Sequence, residues 1–322
     1  MRRAGAILLI LLAMIGLGWA LAPVEPVDRT ISFDAAALPD DLDAYLAAEE
    51  ARFPDITPGT AKRILWAGAK GARTPLSIVY LHGFSATLQE IRPVPDEVAK
   101  ALGANLFYTR LAGHGRGSAA MAEATAGDWI EDTAEALAIG RRLGERVLVI
   151  ATSTGATLAA IAATDPQMNA DLAGIVMISP NFRVKNRAAI ILDLPWARIW
   201  GPWLAGRTIG FTPENPDHAK YWTTEYPSAA AFPMAALLRA ARGLDYAQAK
   251  APLLVFYSPE DHVIDPAAIW PVTGAWSGPV RIEERHMRPG DDPWSHVIAG
   301  DILSPGQTEE TVALILDWAH GL

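Results

Sequence analysis

One serine stands where a serine can be made into a nucleophile. Ala151-Thr152-Ser153-Thr154-Gly155 follows the apolar, β-branched run 147–152 and precedes a helical pattern over 155–163. A sharp turn from strand to helix lifts a hydroxyl clear of the sheet, and it tolerates only small neighbours because strand and helix crowd there. Ala151 occupies the first place of a G-x-S-x-G pattern and adds one methyl. A serine hydroxyl needs a base to take its proton and an acid to hold that base in one tautomer. The acid expected is Asp261, in the loop Ser258-Pro259-Glu260-Asp261-His262 at a strand end, with Glu260 and Asp265 as rivals. The base expected is His296, in the loop Pro293-Trp294-Ser295-His296, because a loop histidine swings over a serine more easily than His286 at the end of a strand.

Acyl transfer also needs preorganised donors for the developing oxyanion, usually backbone N–H groups. The residue after the nucleophile, Thr154, is one source. The loop Leu81-His82-Gly83-Phe84 after an early strand is the other, with Phe84 supplying the N–H. Gly83 lets that backbone come close, and His82 reads as a packed histidine bracing the loop. His114, His218 and His320 read as ordinary polar or surface histidines. There is no His-Glu-x-x-His and no dinucleotide fingerprint, so neither a metal nor a cofactor is expected. Gly113-His114-Gly115-Arg116-Gly117 reads as a tight loop at the sheet top.

Elements of a particular kind must position these residues. Strands are expected over 62–67, 76–81, 104–109, 147–152, 172–179, 252–258 and 280–284, and helices over 40–53, 89–102, 128–143, 155–163 and 309–320. Apolar strands alternating with helices indicate a mostly parallel sheet covered on both faces. The rhythm breaks between Ser179 and Pro252, a stretch rich in Pro and Trp that includes Trp196, Trp200, Trp203 and Trp222. So long a loop without structure would be unusual, so residues 181–249 are read as a mostly helical cap over the carboxyl ends of the strands. The core is then 38–180 with 250–322, joined to the N-terminal segment 1–22 through a linker at 23–37.

Arg2 and Arg3 precede residues 4–22, which carry no charge and approach the roughly twenty apolar residues that cross a bilayer as a helix. Two readings stand: an uncleaved signal anchor holding the domain outside, facing the periplasm or exterior, or a signal peptide cut after Ala20. Both export the domain. The chain has 322 residues, a formal net charge of −9 and no cysteine. That balance argues against a nucleic-acid partner and excludes disulfides and a thiol nucleophile.

Taken together, these segments resemble the α/β-hydrolase superfamily, nearest the monoacylglycerol lipase, carboxylesterase and serine aminopeptidase group. The likeness rests on His82-Gly83-Phe84, Arg110-Leu111-Ala112-Gly113-His114-Gly115, Asp128-Trp129, the Ser153 turn, the Asp261 loop and His296 followed by Val297-Ile298. It implies a sheet of about eight strands, an acyl-enzyme on Ser153, and an oxyanion hole at Phe84 and Thr154. The activity expected is cleavage of carboxylic esters of small to medium acyl chain or of monoacylglycerol type. An aminopeptidase is the alternative, with Glu214, Asp217 and Glu225 available for an ammonium group, and a non-catalytic, membrane-tethered binding protein is the other.

Overall fold

The computed structural model describes Met14, residues 16–18 and residues 21–322. The apolar run 4–22 lies largely outside the described residues; among those described, no helix is long and apolar enough to cross a membrane. In chain order the first elements are α1 (Leu42–Glu50), β1 (Arg63–Leu65), β2 (Thr74–Leu81), α2 (Val94–Leu102) and β3 (Asn105–Tyr108). Next come α3 (Ala126–Leu143), β4 (Gly144–Thr152), α4 (Thr154–Thr164) and β5 (Leu172–Ile178). The insertion then contributes α5 (Ala197–Ala205), β6 (Thr208–Gly210), α6 (Pro216–Tyr221), β7 (Glu225–Pro227) and α7 (Ala231–Arg242). The core resumes with β8 (Leu253–Tyr257), α8 (Ile269–Ala275), β9 (Val280–Glu284) and α9 (Pro305–Ala319).

Seven strands form one sheet in the order β1-β3-β2-β4-β5-β8-β9, with β6 and β7 making a separate antiparallel pair. Only β1 runs antiparallel, against β3. The sheet therefore has one strand fewer than the expected eight or so, because the described residues ahead of β1 go to an extended strap and α1 instead of pairing at that edge. Why the central strands read as unbroken apolar runs is visible in their alternation. Val79 and Leu81 of β2, like Val147, Val149 and Ala151 of β4, face α3 and α4. Ile78, Tyr80, Leu148 and Ile150 face α2 and α9 on the other side. With both faces covered, neither can be polar.

Two helices start elsewhere than their periodicity suggests, and proline is the reason both times. The pattern over 89–102 yields a helix only from Val94, since Pro93 disfavours helical backbone at Arg92 and residues 89–93 form turns instead. The last helix begins early, at Pro305, whose missing N–H costs nothing at a first helical position.

The chain topology creates a crevice. After β2 the sheet grows to one side through β3, and β4 returns on the other flank of β2, so the carboxyl ends of β2 and β4 flank a topological switch point. Residues between β5 and β8 cover that crevice as a cap of helices with the β6–β7 pair. The 23–37 segment is extended as its prolines suggest, but pinned. Glu131 of α3 accepts from the backbone N–H groups of Ser32 and Phe33, the Pro23 carbonyl accepts from Trp196 N–H, and Glu25 pairs with Arg198.

Candidate active site

Ser153 sits between β4 and α4 with φ 51° and ψ −115°. That left-handed backbone is strained for a residue with a side chain and persists only where the surroundings impose it. Here its N–H donates to the Ile178 carbonyl at 2.9 Å, and its own carbonyl accepts from Asn181 N–H at 3.1 Å. Gly155 is compulsory two residues on: a Cβ there would lie 2.2 Å from the Leu81 carbonyl oxygen and 2.6 Å from that of His82. Ala151, by contrast, points into the apolar layer under α3 and α4, where its methyl fits.

The loop after β2 passes directly against this serine. A Cβ on Gly83 would be 3.2 Å from Ser153 Cβ. His82 is fully buried; its Nε2 accepts from Leu111 N–H at 3.1 Å, which leaves Nδ1 to donate to the Gly83 carbonyl at 2.9 Å. Burial, with His114 and Arg110 nearby, holds its pKa well below the ordinary histidine range, so it braces the loop as a neutral ring. Phe84 follows, its ring edge-on to His114, Trp129 and Tyr226. Phe84 and Thr154 thus stand on the two segments that meet at Ser153, at the start of α4 and the end of the β2 loop.

Asp261 and His296 arrive from separate loops. Asp261 is completely buried after β8, where its Oδ1 accepts from the N–H groups of Val263 and Ile264 at 2.7 and 2.8 Å. Its Oδ2 lies 2.8 Å from His296 Nδ1. The His296 backbone is held in turn: its N–H donates to Asp292 at 2.9 Å and its carbonyl accepts from Ser179 Oγ at 2.6 Å. Burial works against a charge on this imidazole, but the carboxylates of Asp261, Asp292 and Glu90 outweigh it and raise its pKa above the ordinary value. The rivals lie outside this arrangement. His286 has a side chain 62% exposed and pairs with Glu260 and Glu284, while Asp265 binds Arg183.

Ser153 and His296 line one cavity of about 310 Å³, walled on the cap side by Phe211, His218, Trp222, Tyr226 and Met234. A larger cleft of about 570 Å³ nearby, lined by Arg183, Lys185, Arg187 and Arg242 among others, has no serine or histidine in its lining. Glu214, Asp217 and Glu225 are exposed, and none of them lines the Ser153 cavity.

Several site residues escaped the sequence reading. His114 and His218 are buried, not surface, residues. Burial takes His114 down to about 4, and it also lowers His218, which faces the cavity from α6. Asn181 lines the cavity with a buried Oδ1 that has no hydrogen-bond partner among the described residues. Glu90 lines it too, as a buried carboxyl in the turn before α2. An acid between two apolar residues, Leu88 and Ile91, just beyond the Gly83 loop was the available signal for Glu90.

A parallel, helix-covered sheet with a serine at a strained strand–helix turn, an Asp–His pair from later loops and a cap above them defines an α/β-hydrolase. The chain belongs to the serine aminopeptidase S33 family, whose model matches residues 73–277. It is 30% identical over 200 residues to the thermostable monoacylglycerol lipase of Bacillus sp. (strain H-257), covering 60% of this chain and 73% of that protein. Among solved structures it is similar to one from the metagenome-derived lipolytic enzymes LipS and LipT, with TM-score 0.67 and 21% identity over 83% of this chain and all (100%) of that one. The monoacylglycerol lipase of Paleococcus ferrophilus matches with TM-score 0.56 and 14% identity, covering 81% of this chain and 98% of that one.

Proposed function

We propose that this carboxylic-ester hydrolase works through an acyl-enzyme on Ser153, with His296 as base and Asp261 as its orienting acid, on esters of small to medium acyl chain or of monoacylglycerol type. The observation that carries the reading is the 2.8 Å bond between Asp261 and His296 Nδ1, with His296 lining the same cavity as Ser153. With Nδ1–H committed to Asp261, His296 Nε2 is free to take the serine proton. Ser153 Oγ then attacks the ester carbonyl, the oxyanion is met by the N–H groups of Phe84 and Thr154, and the imidazolium returns its proton to the leaving alcohol. Water, deprotonated by the same histidine, attacks the acyl-enzyme; the acid leaves and Ser153 regains its hydrogen.

The lining supports an ester with an apolar part: Phe84, Phe211, Trp222, Tyr226 and Met234 line the same cavity as the serine. The likeness to the monoacylglycerol lipase of Bacillus sp. (strain H-257) supports a glycerol ester among the substrates. The exposed positions of Glu214, Asp217 and Glu225 leave an ammonium-recognising aminopeptidase without the acids expected to serve it. Residues 4–22 are proposed to act as a signal anchor that exports the domain and holds it at the membrane, supported by their length without charge behind Arg2 and Arg3.

The test is turnover of p-nitrophenyl esters from acetate to laurate by the protein and by Ser153→Ala. Turnover that vanishes in the variant, with the melting temperature within about 2 °C of the parent, is the expected result. Activity surviving in Ser153→Ala would remove the nucleophile assignment. Fractionation of cells producing the full chain tests the anchor, which predicts membrane-bound activity released by detergent and not by salt.

A further inference from the structure

Glu90 occupies the turn between the Gly83 loop and α2, where its side chain has no ordinary reason to be acidic. The residue is only 2% exposed. Its Oε2 accepts from Gly83 N–H at 2.7 Å and from the Tyr80 hydroxyl at 2.9 Å. The Tyr80 oxygen lies 3.2 Å from Thr152 Oγ1, on the residue that precedes the nucleophile. Through Tyr80, one carboxyl therefore joins the two arms of the site, the loop that presents Phe84 N–H and the strand that ends one residue before Ser153. Its other oxygen approaches the same spot as the serine: a Cβ on Gly83 would lie 2.5 Å from Glu90 Oε1 and 3.2 Å from Ser153 Cβ.

A glutamine would accept both hydrogen bonds without the expense of burying an acid. What the carboxyl adds is a charge that comes and goes. Burial pushes its pKa up to about 7, against the opposing pull of Gly83 N–H, the Tyr80 hydroxyl and His296. The other ionisable groups around the pair differ from it. Asp261 from the β8 loop and Asp292 from the His296 loop also favour the imidazolium. His82 and His114, behind the Gly83 loop, have lowered pKa values and stay neutral. His218 on the cap side is lowered as well, and Arg92 in the same turn is committed to Asp96. Glu90 and His296 line the same cavity, and burial brings the charge of Glu90 to a change near neutrality.

We propose that Glu90 is a positioning residue of the esterase site: its carboxyl clamps the oxyanion loop to the nucleophile turn, and its negative charge holds a proton on His296. The inference rests on the Ser153–His296 reading given above. Glu90 and His296 then lose their protons as a coupled pair, and neither observed midpoint belongs to one residue alone.

The experiment uses the full chain in detergent and reads kcat/KM for p-nitrophenyl butyrate from pH 5 to 9, with fluorophosphonate labelling of Ser153 run in parallel. Glu90→Gln keeps an acceptor for Gly83 and Tyr80 but carries no charge. Its acid limb should move down by about one pH unit, with the high-pH plateau within about threefold of the parent. Glu90→Ala removes the clamp as well, so it should show the same downward move and a plateau lower by about tenfold or more. A Glu90→Gln profile superimposed on the parent's overturns the role of the charge. A Glu90→Ala plateau equal to that of Glu90→Gln overturns the clamp. If Glu90→Ala fails to fold, the Glu90→Gln midpoint alone decides. A parent that neither labels nor turns over ester sinks the Ser153 reading itself, and this one with it; a parent that does both isolates failure to Glu90.

Discussion

Replacing Gly155 with alanine adds one methyl group to a helix, and the structure sets how badly that methyl fits. Its carbon would stand 2.2 Å from the Leu81 carbonyl oxygen, 2.6 Å from that of His82 and 2.7 Å from the Leu81 carbonyl carbon. All three are backbone atoms at the end of β2, so no side-chain rotation relieves the contact. Reaching ordinary contact requires α4 and the end of β2 to part by about 1 Å, an overpacking that costs about 1–3 kcal/mol or more. Thr154 rides on α4 and Phe84 on the loop after β2, so the wedge acts between the two proposed oxyanion donors. A misplacement of about 1 Å in such a site costs about a hundredfold in rate. We expect Gly155→Ala to lower kcat on p-nitrophenyl butyrate by about that factor and the melting temperature by roughly 3–10 °C. Gly68→Ala is the control, because nothing lies within 4 Å of a Cβ there. Turnover within threefold of the parent and an unmoved melting temperature in Gly155→Ala would refute the argument that this approach of helix to strand sets the site.

Asp261→Asn keeps an acceptor for the Val263 and Ile264 N–H groups but can turn its amide toward His296 and favour the wrong tautomer, so kcat should fall by about ten-thousandfold in the ester assay. His296→Ala should abolish turnover while His286→Ala, which removes an exposed ring paired with Glu260 and Glu284, stays within about twofold; the reverse order would exchange their roles. Glu90 also makes a claim on stability. Its pKa is raised from 4.5 to about 7, so the folded chain holds this proton more tightly than the unfolded one. The stabilisation is complete below about pH 4.5 and is lost as pH rises through 7, a swing of about 3 kcal/mol. Urea unfolding should therefore show Glu90→Gln gaining on the parent by about that amount between pH 4.5 and 8; a constant difference would count against a buried acid.

The parts of the fold legible from sequence are those governed by local pattern. The runs 147–152 and 172–179 read as strands because both faces of β4 and β5 are covered, which leaves no polar alternation to confuse the reading. The turn at Ser153 was legible because crowding admits only small residues around it. Pairing at a distance was not. Whether Asp261 meets His296 or His286 depends on where two loops deliver their side chains, and the sequence alone left Glu260, Asp265 and His286 as rivals. Glu90 was hidden by a helical pattern that Pro93 interrupts: it falls in the helix expected over 89–102, yet it is buried in a turn. The histidines mislead for the same reason: His114 is polar by type, yet Phe84 and Trp129 enclose it.

The pinned strap ahead of α1 governs how the roof over the site can move. A cap inserted between β5 and β8 has two chain crossings that can serve as hinges. The strap adds a third tie, since Pro23 and Glu25 grip Trp196, Arg198 and Arg239 while Ser32 and Phe33 grip Glu131 on the core. A roof tied in three places cannot swing as a door without first releasing one of them. Tension applied to the N-terminal end of the chain would be delivered to the cap before it reached the sheet, making a pull on that end and the access to the serine parts of one mechanical linkage. A trimmed protein that begins after Glu25 would keep every residue of the site and lose that linkage.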